Sequence, residues 1–292
     1  MQFVIRQSSS CSGKSIERGS RRDLIDLDIK SLRISLLHLA PILGEIEANR
    51  GLVEHATRIA ASMGANWVLS PELVVCGYEF SDLIGTDWIT PEPSEWMCRF
   101  CELVKELGVN VFLSHPERDP QENALYNSVF FIDSGGAISG CHRKINTVSD
   151  GWSTPGNVIE PVDGNGLKVG ILLCADAYTP HVANELQRIG ARILVSPAAW
   201  GPGLYGPNGE WEQRTLETGL PLIVCNRTGK DSTRSFDSAE SLVVINGKKV
   251  LRHASPDSVV LTFDWDIKNM VPLSSGFTKG VLSLGSLSSA SW

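Results

Sequence analysis

One eight-residue pattern occurs twice in this chain, and it constrains the fold more than any other feature. Gly64-Ala65-Asn66-Trp67-Val68-Leu69-Ser70-Pro71 and Gly190-Ala191-Arg192-Ile193-Leu194-Val195-Ser196-Pro197 carry Gly, Ala, Ser and Pro at equal positions. Each copy follows an amphipathic stretch with helical spacing: Leu52, Val53, Ala56, Ile59, Ala60 and Met63 before the first, His181 to Ile189 before the second. The glycine stands where a left-handed cap ends a helix, the apolar residues read as a short buried strand, and Ser-Pro breaks the strand off. A helix that delivers a buried strand is the unit of α/β architecture, and two copies predict a pseudo-symmetric pair of sheets with helices outside each.

The rest of the chain has the same grammar. Ser31 to Leu39 alternates and then runs apolar, as a strand does; Glu95 to Leu107 reads as a helix stopped by Gly108, followed by a strand from Val109 to Ser114. Tyr126 to Ile132 and Ala137 to Arg143 flank the Gly135-Gly136 turn of a hairpin, with Asn127 expected to order its base, and Lys168 to Leu173 is a further buried strand. No Ser/Gly/Pro linker divides residues 31 to 270, and 42% hydrophobic against 20% charged residues is enough for one large core. The expected organisation is an arm at 1–30, one α/β domain at 31–270, and a tail at 271–292 placed at a dimer interface.

Several function classes fall away. With 26 Lys and Arg against 33 Asp and Glu the net charge is −7, so no global attraction to nucleic acid or anionic lipid is available. Apolar runs such as Val169 to Ala175 fall well short of the roughly 18 residues that suggest a membrane helix. The 7 cysteines are odd in number and scattered, which reads as a reduced, cytoplasmic protein. The first 22 residues are Arg- and Ser-rich with Glu17 as their one acid, a composition shared by organellar transit peptides and disordered arms, so organellar targeting is the alternative. Ser8 takes the first glycine position of the phosphate-loop-like "SSSCSGKS". "GPGLYG" at 201–206 matches a dinucleotide fingerprint but continues as Pro207-Asn208-Gly209 instead of opening a helix, and reads as a lid. Cys98 and Cys101 lie in a helix with Trp96, Phe100 and Val104 at core spacing, and no second pair completes a zinc site. Neither a metal nor an organic cofactor is expected.

Three residues at strand ends could carry chemistry. Cys174 closes the apolar run 169–173 and is followed at once by a turn and a helix, a junction where a thiol can stand beside free backbone N–H groups. At its usual pKa near 8.5 such a thiol needs a base or a neighbouring cation to act as a nucleophile at neutral pH. Glu72 follows Ser70-Pro71, and Lys144 ends the return strand of the hairpin. Taken singly, each has a bland reading: a structural cysteine, a surface carboxylate, a solvated basic run. Together they are the acid, cation and thiol that covalent acyl transfer requires.

The segments "GANWVLSPELVVCGY", "YNSVFFIDSGGAISGCHRKINTV" and "VGILLCADAYTPHVANELQRIGARILVSPAAW", with "WEQRTLETGLPLIVCNRTG" after them, resemble in order the signature blocks of the nitrilase, or carbon-nitrogen hydrolase, superfamily. The resemblance covers about Ser31 to Asn269. It implies a four-layer α-β-β-α sandwich of two mixed β-sheets that dimerises, with a Glu-Lys-Cys triad carried onto Glu72, Lys144 and Cys174. Cys174 would attack the substrate carbon, Glu72 would move protons, and Lys144 with the Ala175 N–H would hold the oxyanion. No cofactor is implied.

Departures from the family pattern stand beside the matches. Many members place a second Glu after the lysine; here Asp150 precedes Gly151-Trp152, as a shortened counterpart or as a simple turn residue. Thr218 stands where Asn is common. Ala175-Asp176 after the cysteine leans toward amide-cleaving members, where nitrilases usually carry Trp-Glu. Trp200, at the exit of the second repeated strand, is expected by symmetry to reach the site, with Tyr78 and Trp152 as further pocket residues; each has a core-packing alternative. The expected activity is an amidohydrolase acting on a small linear amide or carbamoyl compound, with ammonia released. Rivals are a nitrilase, a catalytically silent scaffold of the same fold, and a papain-like protease using His181 or His253, which lacks the expected context around Cys174.

Overall fold

Both repeated units form strands, each inside its own sheet. The computed structural model describes residues 31–282. The first sheet has β1 (Ser31–His38), β2 (Trp67–Leu69), β3 (Asn110–Arg118), β4 (Leu125–Ile132), β5 (Ile138–Arg143), β12 (Val259–Asp266), β13 (Val271–Pro272) and β14 (Thr278–Val281). Its order is β13-β12-β1-β2-β3-β4-β5, with β14 also paired to β12. The second sheet has β6 (Val162–Gly164), β7 (Leu167–Ile171), β8 (Ile193–Ala198), β9 (Leu222–Asn226), β10 (Ser241–Ile245) and β11 (Lys248–His253), in the order β11-β10-β9-β8-β7-β6. Strand β2 lies parallel between β1 and β3, and β8 lies parallel between β7 and β9.

Side-chain alternation divides the core into three apolar layers. Trp67 and Leu69 of β2, with Ile34, Phe112 and Phe131, meet Ile193 and Val195 of β8, with Val169 and Ile223, between the sheets. Val68, the odd residue of β2, points outward onto α1 (Ile46–Ser62) and α3 (Glu95–Leu107), which contribute Val53, Ala56, Met97 and Phe100. Leu194 of β8 points outward onto α4 (Pro180–Arg188) and α5 (Glu210–Thr218), through Val182, Leu186 and Trp211. A short α2 (Phe80–Ile84) completes the helices among the described residues. The result is the four-layer α-β-β-α sandwich.

The glycines that open the repeats have the conformation their positions demand: Gly64 has φ +81° and Gly190 φ +95°. Strand β3 runs past the expected end at Ser114 to Arg118 because β4 pairs with it throughout. Pro116 is tolerated there because β2 has already left the β3 edge its missing N–H would face. Residues 271–281 add β13 and β14 to the first sheet rather than standing apart from it. The 1–30 arm and the phosphate-loop-like segment lie outside the described residues. Among the described residues no helix is long and apolar enough to cross a membrane.

Candidate active site

The two repeated strands end differently, and their ends meet. The last backbone bond between β2 and β3 is from Ser70 N to Phe112 O at 3.0 Å; beyond it serine side chains carry the pairing, as Ser114 N donates to Ser70 Oγ at 2.8 Å and Leu73 N donates to Ser114 Oγ at 3.0 Å. Hydroxyls standing in for carbonyls let the chain swing away from β3, through Leu73 at φ +52°. Glu72 thereby crosses to the second sheet, where its N–H donates to Ala198 O at 3.3 Å.

Its carboxylate is fully buried and takes three donors. Oε1 accepts from Lys144 Nζ at 2.6 Å and from Asn127 Nδ2 at 2.9 Å, and Oε2 accepts from Ala199 N at 3.1 Å. Asn127 O accepts from Lys144 N at 2.8 Å, as expected of a hairpin base, and its side chain also braces the carboxylate. Burial is the largest single influence and pulls the Lys144 ammonium downward, but Glu72, Cys174 and Tyr78 around it together outweigh burial and hold the pKa above its ordinary value.

Cys174 follows β7 as the first residue of a single 3-10 turn (Cys174–Tyr178), at φ +49° and 5% exposed. Its thiol lies against the Glu72 carboxylate and the Ala199 N–H. Burial, and next the Glu72 charge, push the thiol well above its usual pKa, with Lys144 and the Ala199 N–H pulling back only in part. At neutral pH it is therefore a protonated thiol beside a carboxylate. Of the two ways to make a thiol reactive, base or cation, this geometry supplies the base.

Asp176, in the same turn, is buried and accepts four hydrogen bonds: from Ile145 N (3.0 Å) and Asn146 N (2.8 Å) on Oδ1, and from Leu173 N (3.0 Å) and His142 Nε2 (2.8 Å) on Oδ2.

Aromatic side chains wall the site. Trp200 shares an apolar cluster with Cys174 and lies 4.7 Å from the Tyr178 ring and 5.0 Å from Trp211. Its indole donates to Tyr205 O at 2.8 Å, and the Tyr178 hydroxyl donates to the same carbonyl, so residues 201–209 are tied down over it. Tyr78 is half-buried, stands edge-on to Phe236 at 6.3 Å, and burial with the Glu72 charge pushes its phenol up to about 12. Ala175 O accepts from Asn146 Nδ2 at 3.2 Å, while the Ala175 N–H opens the turn and has no acceptor within it. Two other expected pocket residues lie outside the apolar cluster that holds Cys174. Asp150 is exposed at φ +60° and makes no hydrogen bond among the described residues, as a turn residue does; Trp152 packs edge-on against Phe80 at 4.9 Å. Among the described residues no group of three His, Cys, Asp or Glu side chains is arranged to hold a metal ion.

The carbon-nitrogen hydrolase family matches residues 33–264, a span that runs from within β1 to within β12. The chain belongs to the carbon-nitrogen hydrolase family. Over 251 residues the chain is 25% identical to a glutamine-dependent NAD(+) synthetase of Thermotoga maritima, covering 82% of this chain and 43% of that longer protein, so it spans under half of that relative. It is 30% identical over 207 residues to N-carbamoylputrescine amidase of Solanum lycopersicum, covering 64% of this chain and 68% of the amidase. The fold matches that of Nit3 from Saccharomyces cerevisiae, a member of branch 10 of the nitrilase superfamily, with a TM-score of 0.70 at 21% identity, over 82% of this chain and 91% of Nit3.

In this member of the family, braces absent from the sequence expectations hold the walls. Asn226 Oδ1 accepts from Trp200 N at 3.0 Å and its Nδ2 donates to Trp200 O at 2.9 Å, fixing the β8 exit. His38 Nδ1 lies 3.0 Å from Asn226 O, and burial lowers the ring's pKa to about 4, keeping it neutral. Arg227 pairs with Asp231 at 2.8 Å, both fully buried, and Asp231 accepts from Tyr78 N at 2.7 Å and Glu79 N at 3.0 Å. The Asn-Arg pair at 226–227 was the legible signal for both braces; Asp231 stands only four residues after Arg227, but Trp200, His38 and Tyr78 are distant in sequence and were not legible.

Proposed function

We propose that this chain is a cofactor-independent amidohydrolase of small linear amides or carbamoyl compounds, with Cys174 as nucleophile, Glu72 as general base and acid, and Lys144 as oxyanion donor. The observation that carries this reading is the buried contact of the Cys174 thiol with a Glu72 carboxylate that Lys144 already holds at 2.6 Å. Glu72 takes the thiol proton as sulfur bonds to the carbonyl carbon. The oxyanion that forms is met by Lys144 Nζ and the Ala175 N–H, donors of a kind worth about 10²- to 10³-fold each. Glu72 then passes its proton to the nitrogen, the C–N bond breaks, and ammonia leaves a thioester on Cys174. In the second half, Glu72 takes a proton from water, hydroxide adds to the thioester carbon, and the C–S bond breaks as the proton returns to sulfur. The acid is released and the enzyme is restored.

A buried thiol with a raised pKa fits this cycle, because the proton moves only when substrate is present to take the electron pair. Relatives named for glutamine dependence and for an N-carbamoyl substrate support an amide or carbamoyl nitrogen as the leaving group. The aromatic wall of Tyr178 and Trp200, under the loop 201–209, supports a small acyl group closed off from water. The test is ammonia release across ω-amides, N-carbamoyl compounds and matched nitriles. Turnover of amide or carbamoyl substrates well above the nitriles is expected; hydrolysis of nitriles alone would make the chain a nitrilase, and no turnover of any compound would make it a scaffold.

A further inference from the structure

We propose that Asp176 is the positioning residue that sets Lys144 against Cys174, with His142 fixing the orientation of its carboxylate. The inference rests on the roles assigned to Cys174 and Lys144 above and goes beyond them, since Asp176 touches neither thiol nor ammonium in the hydrogen bonds it makes. Its four donors come from both sides of the sandwich. Leu173, the residue before Cys174, leads out of the second sheet. His142 is on β5 of the first sheet, and Ile145 and Asn146 are the two residues directly after Lys144. One fully buried carboxylate thus joins the backbone flanking the thiol to the backbone flanking the ammonium, where β5 and β7 are not paired with each other.

Three backbone N–H groups and the His142 ring converge on its two oxygens, so an isosteric amide would turn its –NH2 toward at least one backbone N–H and leave it buried and unpaired. His142, with its side chain 2% exposed, donates from Nε2 at 2.8 Å and stops the carboxylate from rotating away from Leu173. Neither residue reacts; both decide whether the reacting groups stand within bonding range when substrate arrives.

The test measures kcat and KM on the best amide found above, per active site titrated by intact mass, for Asp176→Asn, His142→Leu and His142→Gln. For Asp176→Asn, kcat per titrated site should fall about 10²-fold, the scale of a 1 Å misplacement, with KM within about threefold of wild type. His142→Leu should fall less, and His142→Gln, whose amide N–H can replace the imidazole donor, should recover most of that loss. A merely structural role would lower thermal stability and the number of titratable sites while leaving kcat per site unchanged. An Asp176→Asn protein with unchanged kcat per site overturns the proposal; if that variant does not fold, a His142→Leu protein as active as wild type overturns it. A wild type that neither turns over nor acylates overturns the reading of the site and this inference with it.

Discussion

Ser70-Pro71 and Ser196-Pro197 are the same dipeptide at the same point of the same unit, yet they do opposite things. Ser196 stays in register: β8 remains paired with β9 through Pro197 and Ala198, and the Ser196 hydroxyl is buried without a hydrogen-bond partner among the described residues. Ser70 still donates its N–H to Phe112 O, but beyond that bond Ser70 and Ser114 replace carbonyls by hydroxyls and the chain leaves the ladder, which turns Glu72 across the sandwich. The straight exit then supplies the backbone on which the bent one lands, Ala198 O for Glu72 N and Ala199 N for Glu72 Oε2. A duplicated strand becomes a site when one copy bends and the other stays as the wall it bends against.

The largest effect should come from what the bent exit delivers. Glu72→Gln is expected to lower kcat/KM by about 10²- to 10⁴-fold in steady-state ammonia release, while Trp200→Phe at the straight exit costs far less. Next is the bend itself. Ser70→Ala leaves the buried Ser114 N–H unpaired and should cost about 1–3 kcal/mol in denaturant unfolding, with activity reduced as Glu72 drifts. Ser196→Ala removes a hydroxyl that has no partner and should be neutral or stabilising; equal losses at the two serines would break the comparison.

A smaller, pH-dependent effect belongs to the brace behind the straight exit. His38 has a folded pKa of about 4, below the ordinary value near 6.5. The unfolded chain therefore binds more protons between those values, so the stability contribution is full above about pH 6.5 and is lost as pH falls toward 4. The melting temperature should drop across that window, and His38→Asn should flatten part of the slope; an unchanged slope would remove His38 from the brace. Least of all, Asp150→Asn should leave kcat/KM within about threefold, since an exposed turn residue at positive φ tolerates Asn and loses only a solvated charge.

Much of this was legible in the chain because it is local. The glycine caps, the two buried strands and the positions of Glu72, Lys144 and Cys174 at strand ends follow from period and punctuation within a few residues. What could not be read was which side each strand end turns to. The swing at Ser70 depends on a hydroxyl of Ser114 across the sheet, and nothing near Ser196 differs enough in sequence to predict the contrast. The resemblance offered Asp150 as a shortened second carboxylate or as a simple turn residue, and it stands exposed in the turn after Lys144; the buried carboxylate beside the lysine loop is Asp176, in the turn that follows β7. Trp200, expected from the symmetry, shares a cluster with Cys174, while Trp152 packs in the aromatic pocket around Phe80.

The account stands on one bond. Intact-mass analysis of protein quenched during turnover of its best amide should show a mass gain equal to the acyl part of that substrate, localised to the peptide carrying Cys174 and absent from Cys174→Ala, which folds but releases no ammonia. A Cys174→Ala protein that hydrolyses the amide undiminished, with no adduct on the wild type, would contradict it.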